Sequence, residues 1–402
     1  MKVLQINAIY GFSSTGKTAL ELNDALIEKG HESIVVTTKA SSGVNNAYIM
    51  GNKIDWLFHG LFSRLFGLQG YFSFISTKKL INFIKKEKPD VIHLRNLHAN
   101  YINVPVLLKY IAKNDIPTVV TLHDCWFFTG KCCHYTADNC FKWTEKCDNC
   151  PALKKYNKSW FFDFSRKMFN DKKKLFGNIS NLTVVTVSDW LLGEVKKSPI
   201  FKNAEKKRIY NWIDTDKFVQ TDSKQLKKNL GLENKKVLLC VAGGWTKEKG
   251  FETVVKLSQK LNEDERILLV GIVYDKSALN EKIINVPATE SVDELIGYYS
   301  MADVFVQPSI QETFGKVVAE SLSCGTPAVC FASTANPELV KDGCGASVPV
   351  GDIDSMLKEI RNILDNGKEK YSTNCRNFAV DNFNKEKNIQ EYFDLYEKFI
   401  GE

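Results

Sequence analysis

Short apolar runs alternate with amphipathic stretches throughout the first half of the chain. The apolar runs predict β-strands over Val3–Ala8, Ser33–Thr37, Val91–Leu94, Thr118–Leu122 and Thr183–Val187. The amphipathic stretches predict α-helices over Lys17–Lys29, Lys78–Lys86 and Val104–Asn114. Strands that alternate with helices in this way form a parallel, doubly wound sheet.

The second half of the chain repeats this pattern. Strands are predicted over Val237–Ala242, Ile267–Val270, Ile283–Val286, Val304–Val306 and Ala328–Phe331, and helices over Phe251–Leu261, Val292–Met301 and Lys316–Ser323. The polar segment Asp214–Lys236 lies near the boundary between these two halves. We therefore expect two α/β domains, residues 1–210 and 211–375, with a cleft between them. The rest, residues 376–402, predicts a helix with one apolar stripe.

Composition and charge narrow the classes of function. The 402 residues are 44% apolar, which is enough for two domains with their own cores. The net charge of +7, from 54 basic and 47 acidic residues, is too weak to indicate nucleic acid. It fits contact with an anionic membrane surface or a phosphorylated substrate. We find no signal-peptide pattern and no run of about 18 apolar residues, so a cytoplasmic protein is predicted.

Two glutamates flank an FG turn in the segment ELIGYYSMADVFVQPSIQETFGKVVAESLSCG. Glu312 follows a predicted strand, and Glu320 lies inside the predicted helix Lys316–Ser323. Helix starts bind phosphate through free N–H groups and the helix dipole, and a carboxylate accepts hydrogen bonds from sugar hydroxyls. The pattern indicates a nucleotide or nucleotide-sugar site; the alternative is a pair of solvated helix charges.

The flanking strings YYSMADVFVQPS and SLSCGTPAVC, together with VAGGWTKEKGFETVVKLSQKL, give this segment its context. The whole block resembles the donor-binding signature of the retaining nucleotide-sugar glycosyltransferases of family 4-like group 1, in their capsule and exopolysaccharide branch. The resemblance implies a GT-B fold, with two Rossmann-like domains and a final helix that crosses back to the first domain. It also implies transfer of a sugar from a UDP- or GDP-sugar to a growing surface polysaccharide or a lipid-linked oligosaccharide.

The resemblance assigns roles within the second domain, which would bind the donor. Glu320 would bind the ribose hydroxyls, and Glu312 would face the donor sugar or the reacting centre. Lys249 would contact the diphosphate, after small residues that let the backbone approach it. Gly244 stands where the family has an arginine, a role that Arg208 or Lys316 would partly fill. The other predicted donor contacts are Gly243, Thr313, Phe314 and Gly315. No metal is expected for catalysis.

The string GFSSTGKT, Gly11–Thr18, follows a strand and precedes a helix, which matches the phosphate-binding P-loop of ATPases and GTPases. No strand that ends in an Asp suited to magnesium stands out downstream. The resemblance offers a different interpretation, in which this Gly/Ser-rich turn approaches both substrates. Gly16 would then contact the donor, and Ser14, Thr15 and Lys17 the acceptor.

Polar residues also follow two other predicted strands of the first domain. His123 and Asp124 come directly after Thr118–Leu122, and Asn96 and His98 come after Val91–Leu94. Ligands bind at such strand ends in open α/β sheets. By resemblance, His123 lies near the donor sugar and is catalytic together with Glu312. Asn96, His98 and Asp124 are predicted to line the acceptor site.

Six cysteines crowd into residues 125–150. Four of them, Cys132, Cys140, Cys147 and Cys150, predict a structural zinc site, since thiolates hold zinc tetrahedrally and CDNC is a C-x-x-C pair. His134 or Cys133 is a substitute ligand. Reduced thiols packed in a loop, or a redox disulfide, are the alternatives.

The aromatic and apolar segment Ile54–Ile84 has two interpretations. It is either a buried helix pair, or an acceptor groove or membrane-surface patch for a lipid-linked saccharide. The second would make the protein peripheral at the inner face of the cell membrane. Two rival functions also remain on the same fold, a nucleotide-sugar epimerase and an inactive sugar-binding protein; the first would act without an acceptor.

Overall fold

The computed structural model describes residues 1–289, 291–341 and 343–401, which divide into two compact units. The first unit comprises Met1–Ile209 and Ile389–Glu402, and the second comprises Tyr210–Asn388. Each unit contains a parallel β-sheet with its strand order reversed once, as the alternation of strands and helices predicts.

In the described part of the first unit, seven strands form the main sheet in the order β5-β3-β1-β6-β7-β8-β9. The strands are β1 (Lys2–Ile6), β2 (Ile9–Tyr10), β3 (Glu32–Thr37), β4 (Lys39–Ala40), β5 (Ala47–Ile49), β6 (Val91–Leu94), β7 (Thr118–Leu122), β8 (Leu182–Thr186) and β9 (Glu205–Arg208). The helices are α1 (Ser13–Glu28), α2 (Lys53–Phe66), α3 (Phe74–Glu87), α4 (Val104–Lys113), α5 (Ser165–Gly177) and α6 (Asp189–Lys197). The short strands β2 and β4 pair separately.

Apolar strands form the core of the first unit, because both faces of its sheet are covered. Leu4 in β1 lies opposite Ile34 in β3 and Ile92 in β6, and both Leu4 and Ile92 are fully buried. Near-continuous apolar strands of this kind are typical of a parallel sheet between helices. Asn103 caps α4, since its side chain accepts the N–H of Val106.

The described part of the second unit has a six-stranded parallel sheet in the order β12-β11-β10-β13-β14-β15. Its helices are α7 (Lys224–Asn229), α8 (Phe251–Ser258), α9 (Val292–Met301), α10 (Lys316–Ser323), α11 (Ile353–Asn366) and α12 (Glu369–Phe383). Its strands are β10 (Lys236–Trp245), β11 (Glu265–Val273), β12 (Ile283–Val286), β13 (Val304–Gln307), β14 (Ala328–Phe331) and β15 (Gly345–Val348). The polar segment near the join therefore contains one short helix, α7.

The last helix, α13 (Lys385–Ile400), joins the first unit from Ile389 onward. The Tyr396 hydroxyl lies 2.7 Å from Nδ1 of the buried His93, and the Tyr392 hydroxyl lies 3.0 Å from Thr121 Oγ1. The predicted C-terminal segment begins at residue 376, but residues 376–388 belong to the second unit. Arg376 holds them there, because its guanidinium donates to three backbone carbonyls of that unit.

Across the described residues, no helix is both long enough and apolar enough to pass through a bilayer.

Candidate functional site

The sheet of the second unit reverses its strand order between β10 and β13. The chain runs outward from β10 to β11 and β12, and then returns to β13 on the other side of β10. In open parallel sheets, ligands bind in the crevice formed by the loops on either side of such a reversal. Here these loops are residues 246–250, which lead into α8, and residues 308–315, which lead into α10.

Backbone contacts hold these two loops together. The Glu248 carbonyl accepts the N–H of Ile310 at 3.0 Å and the hydroxyl of Ser309 at 3.2 Å. Gly250 has a φ of 82°, and a Cβ added to it would stand 2.2 Å from the carbonyl oxygen of Pro308. Glycine is therefore required at this position, and the close approach fixes the spacing between the loops.

Lys249 and Glu312 meet between the same two loops. Lys249 Nζ lies 2.6 Å from Glu312 Oε1, and Gln307 Nε2 donates to that oxygen at 3.3 Å. The side chain of Glu312 is 14% exposed and that of Lys249 is 41% exposed. The N–H of Glu312 donates to Thr334 Oγ1 at 2.9 Å. The pair thus presents a fixed carboxylate and a solvent-accessible cation at the crevice.

Helix α10 begins beside this pair. Gly315, at φ 86°, is its N-cap residue, and the preceding Phe314 is buried edge-to-face against Phe383 with 5.2 Å between ring centroids. The buried carboxylate of Glu320, further along α10, accepts the Tyr299 hydroxyl at 2.9 Å. Free N–H groups and the positive end of the helix dipole at Gly315 favour an anion. A phosphate at this helix start would have Lys249 and Glu320 as neighbours in the same unit.

The other predicted donor residues fall into two sets. Gly243 and Gly244 lie near the end of β10, where its register against β11 shifts, and Thr313 and Lys316 lie at the start of α10. Arg208 ends β9 in the first unit, where its Nε donates to Asp189 at 3.3 Å. The structure therefore gives Arg208 a carboxylate partner within its own unit.

The sheet of the first unit reverses between β1 and β6, and a buried arginine joins the strand ends there. Arg95 follows β6 and is 1% exposed. Its Nη2 donates to Thr18 Oγ1 at 2.7 Å and to His123 Nε2 at 3.2 Å, while Nη1 donates to Gln5 Oε1 at 3.4 Å. Arg95 was not among the predicted site residues, although it directly follows the predicted strand Val91–Leu94.

Arg95 determines the tautomer and the protonation state of His123. A guanidinium has no acceptor, so His123 Nε2 must accept and the ring proton must be on Nδ1. Burial and the charge of Arg95 together lower the pKa of His123 to about 3. His123 is therefore neutral near pH 7, and its ring can donate a hydrogen bond but not supply a proton as an imidazolium acid.

The predicted acceptor residues of the strand ends come together. His98 Nε2 lies 2.6 Å from Asp124 Oδ2, and the Asn96 side chain accepts the N–H of His98 at 3.3 Å. Burial alone would raise the pKa of Asp124, but His98 outweighs it and lowers that pKa to about 2. Burial would likewise lower the pKa of His98, yet Asp124 and Cys133 raise it well above its ordinary value. The two residues form a charged pair.

The structure does not support the P-loop alternative. Helix α1 begins at Ser13, so Ser14, Thr15, Gly16 and Lys17 are already helical and leave no loop to wrap a phosphate. The hydroxyl of Thr18, which would have to reach magnesium, is buried against Arg95. Gly16 packs tightly on β2, since a Cβ there would stand 3.2 Å from the Ile9 carbonyl. Ser14 and Lys17 are exposed.

A buried lysine anchors the cysteine-rich loop. Lys172 in α5 is 3% exposed, and its Nζ donates to the carbonyls of Thr129 at 3.0 Å and Gly130 at 3.4 Å. It also lies 3.6 Å from the centre of a Trp126 ring. Burial lowers the pKa of Lys172 to about 7. The burial of Lys172 was not predicted, because a lysine in an amphipathic helix usually faces solvent.

The four thiols predicted to bind zinc do not meet at ligand distance. Over residues 1–289, 291–341 and 343–401, the potential metal-ligand atoms that gather within 4.8 Å of one another belong to His98, Asp124 and Cys133. Cys147 instead accepts the N–H of Gly130 at 3.2 Å. Burial raises the pKa of Cys132, Cys147 and Cys150, and neighbouring thiols contribute to that shift. Zinc binding by the set stays a prediction.

Elemental analysis of the purified protein tests whether these four thiols bind zinc. If zinc binds, the protein purified without chelator carries about one equivalent per chain, and Cys147→Ser loses it, because tetrahedral zinc needs all four ligands. Cys330→Ser, a buried cysteine of β14, is the control and should keep the metal. Less than about half an equivalent in the unaltered chain would exclude the site.

Comparisons with known proteins extend these observations. Two family models match: Glycosyltransferase Family 4 over residues 15–217, and Glycosyl transferases group 1 over residues 222–392. N-acetyl-alpha-D-glucosaminyl L-malate synthase from Bacillus anthracis is 22% identical over 95% of this chain and 93% of that protein. An uncharacterized 42.6 kDa protein in the cps region of Klebsiella pneumoniae is 25% identical over 81% of this chain and 83% of that protein.

A solved structure supports the fold. The crystal structure of Anabaena Alr3699/HepE in complex with UDP and glucose matches with a TM-score of 0.68 and 14% identity, over 99% of this chain and 100% of that one. At this identity the likeness concerns the fold alone. The predicted GT-B fold class is confirmed.

Proposed function

Because the chain belongs to the glycosyltransferases of family 4 and group 1, we propose that it transfers a sugar from a nucleoside-diphosphate-sugar to a surface polysaccharide or a lipid-linked oligosaccharide. We further propose that the donor is a UDP- or GDP-sugar and that the anomeric configuration is retained. The observation that carries the proposal is the Lys249–Glu312 pair at the start of α10.

The donor part of the proposal rests on the second unit. A nucleoside diphosphate presents phosphates to a helix start and ribose hydroxyls to a carboxylate, and α10 offers both. Tyr299 orients the carboxylate of Glu320 for the ribose, and Lys249 supplies a positive charge for the diphosphate. The Anabaena protein, whose crystal structure holds UDP and glucose, supports this class of donor.

The acceptor part of the proposal rests on the first unit and on the relatives. His98, Asp124 and Asn96 offer hydrogen-bond donors and acceptors at adjacent strand ends, as a saccharide requires. Ser14 and Lys17 add exposed polar groups at the start of α1. The position of the Klebsiella pneumoniae relative in a cps region supports a polysaccharide product.

The proposed chemistry breaks the bond between the anomeric carbon and a diphosphate oxygen, and the electron pair leaves with the diphosphate. A new bond joins the same carbon to an acceptor hydroxyl oxygen, whose proton passes to the departing diphosphate. Negative charge therefore grows on the diphosphate, where Lys249 and the N-terminus of α10 stabilise it. His123 is neutral near pH 7, so we do not assign it the role of a proton donor in this reaction.

A thermal-shift screen tests the donor class. The correct nucleoside diphosphate or nucleotide-sugar, present at about 100 times its Kd, should add about 2.7 kcal/mol of stability. That gain corresponds to a rise in melting temperature of roughly 5–10 °C. The screen should contain UDP, GDP, their 2′-deoxy forms and their common sugar conjugates. If Glu320 binds the ribose, the 2′-deoxy forms should give the smaller shifts.

If none of these compounds raises the melting temperature, the proposed donor class is contradicted. A donor found in this way is then incubated with EDTA, with and without saccharide acceptors. Acceptor-dependent release of the nucleoside diphosphate supports transfer, whereas conversion of the sugar without any acceptor would indicate an epimerase.

A further inference from the structure

Helix α2 exposes its apolar residues. Four large side chains recur at the spacing of one helical stripe and are between 43% and 72% exposed: Ile54, Leu57, Phe58 and Leu61. We call these four residues the outer stripe. The interpretation of Ile54–Ile84 as a buried helix pair is therefore wrong for α2. A helix of a water-soluble domain normally turns such a stripe toward the core.

The opposite face of α2 is buried and polar. It consists of His59, Gly60 and Ser63. His59 Nδ1 lies 2.8 Å from the Ser73 hydroxyl, and His59 Nε2 accepts the N–H of Gly70 at 3.2 Å. Ser63 Oγ donates to Asn100 Oδ1 at 3.0 Å. These hydrogen bonds satisfy the buried groups and fix the orientation of α2, so the outer stripe points outward because the inner face has specific partners.

The apolar surface continues beyond α2. Phe62 stacks on Phe58 and on Phe66 with 6.1 Å between centroids in each case, and Phe66 stacks on Phe162 at the same distance. Phe162 adjoins Phe161, which is 69% exposed. At the start of α3, Phe74 and Ile75 are exposed as well. Exposed aromatic and aliphatic area of this extent marks an interaction site.

Exposed basic residues lie on the same segments of the chain as this surface. They are Lys53 and Arg64 on α2, Lys78 and Lys79 on α3, and Lys154 and Lys158 before Trp160. Lys78 Nζ lies 4.5 Å from the centre of the Phe74 ring, and Lys154 Nζ donates to the Trp160 carbonyl at 2.7 Å. Asp55 is the acidic residue of α2, and it is half-buried. Asp163, which follows Phe162, is exposed, so the six basic residues outnumber the acidic ones and the charge of these segments is net positive.

We infer that the outer stripe of α2, with Phe74, Ile75, Phe161 and Phe162, docks on an anionic lipid bilayer. An apolar face with basic flanks is suited to the interface, where the side chains enter the acyl boundary and the lysines meet lipid phosphates. A second copy of the chain fits less well, because a symmetric contact would bring the same net positive segments against each other. The docked surface belongs to the unit that carries the proposed acceptor residues.

Vesicle sedimentation tests this inference with the full chain. The protein should bind large vesicles of phosphatidylglycerol and phosphatidylcholine at low salt, and bind phosphatidylcholine alone much more weakly. The double variant Leu57→Gln/Phe58→Gln should lose at least about tenfold in partition coefficient, since both side chains would no longer be buried in lipid. Val350→Gln/Ile400→Gln, which changes two other exposed apolar residues, is the matched control and should bind as the unaltered chain does.

A second pair of variants separates charge from apolar contact. Lys78→Gln/Lys79→Gln should weaken binding to the anionic vesicles only, and added salt should have the same effect. Failure of the unaltered chain to bind anionic vesicles would overturn the inference, as would unchanged binding of the Leu57/Phe58 variant. Light scattering that shows a dimer which the Leu57/Phe58 variant loses, without vesicle binding, would assign the surface to a second copy instead.

Discussion

Replacing Lys249 with alanine is expected to lower kcat/KM for sugar transfer by roughly 100- to 1,000-fold, the usual effect of removing one group that stabilises developing charge. Lys249 supplies the positive charge beside the start of α10, where it forms the ion pair with Glu312. The variant also leaves the carboxylate of Glu312 without the ion pair at 2.6 Å. The loss should appear in kcat as well as in KM, because the diphosphate gains charge as it departs.

Two further variants make this measurement specific. Lys247→Ala removes an exposed lysine from the same loop and should leave kcat/KM within about twofold, since exposed charges contribute little. Lys249→Arg keeps the charge and should recover much of the lost activity. A kcat/KM for Lys249→Ala within about threefold of the unaltered enzyme would show that this lysine does not contact the donor.

Replacing Gly250 with alanine is expected to destabilise the second unit by about 3 kcal/mol or more, from left-handed strain and steric overlap together. Its φ of 82° is costly for alanine, and the new Cβ would stand 2.2 Å from a backbone oxygen that cannot rotate away. Calorimetry should show the melting temperature of this unit lowered by roughly 6–12 °C.

Gly243→Ala is the control for that experiment. Gly243 lies near the same crevice, yet a Cβ there would meet no atom within 4 Å, so its stability should change by less than about 0.5 kcal/mol. Equal melting temperatures for the two variants would mean that the loops after β10 and β13 are not held at the spacing described.

The parts of the fold that periodicity alone specifies were predicted well. Strands β6, β7, β12 and β14 and helices α9 and α10 have the predicted bounds, because each is a short apolar or amphipathic run between clear turn residues. The position of Glu312, in a loop between a strand and helix α10, was predicted in the same way. Local sequence carries this information, since it depends on spacing along the chain.

The parts that the sequence did not reveal depend on tertiary partners. Arg95 is buried because Thr18, Gln5 and His123 surround it, and these residues are far apart in the chain. Lys172 is buried because a loop some forty residues earlier turns its carbonyls toward it. A basic side chain in isolation predicts exposure, and only the folded sheet edge or loop makes burial favourable.

Helix α2 exposes its apolar side chains and buries its polar ones. This arrangement also determines which of its residues can change over evolutionary time. Residues of a packed core are constrained by shape, so each replacement must preserve volume as well as polarity. The side chains of the outer stripe are largely exposed, and a lipid interface accepts side chains of many shapes. Leucine, isoleucine and phenylalanine should exchange freely there, whereas His59 and Ser63 should resist change. In this helix the polar residues would be the better markers of common descent.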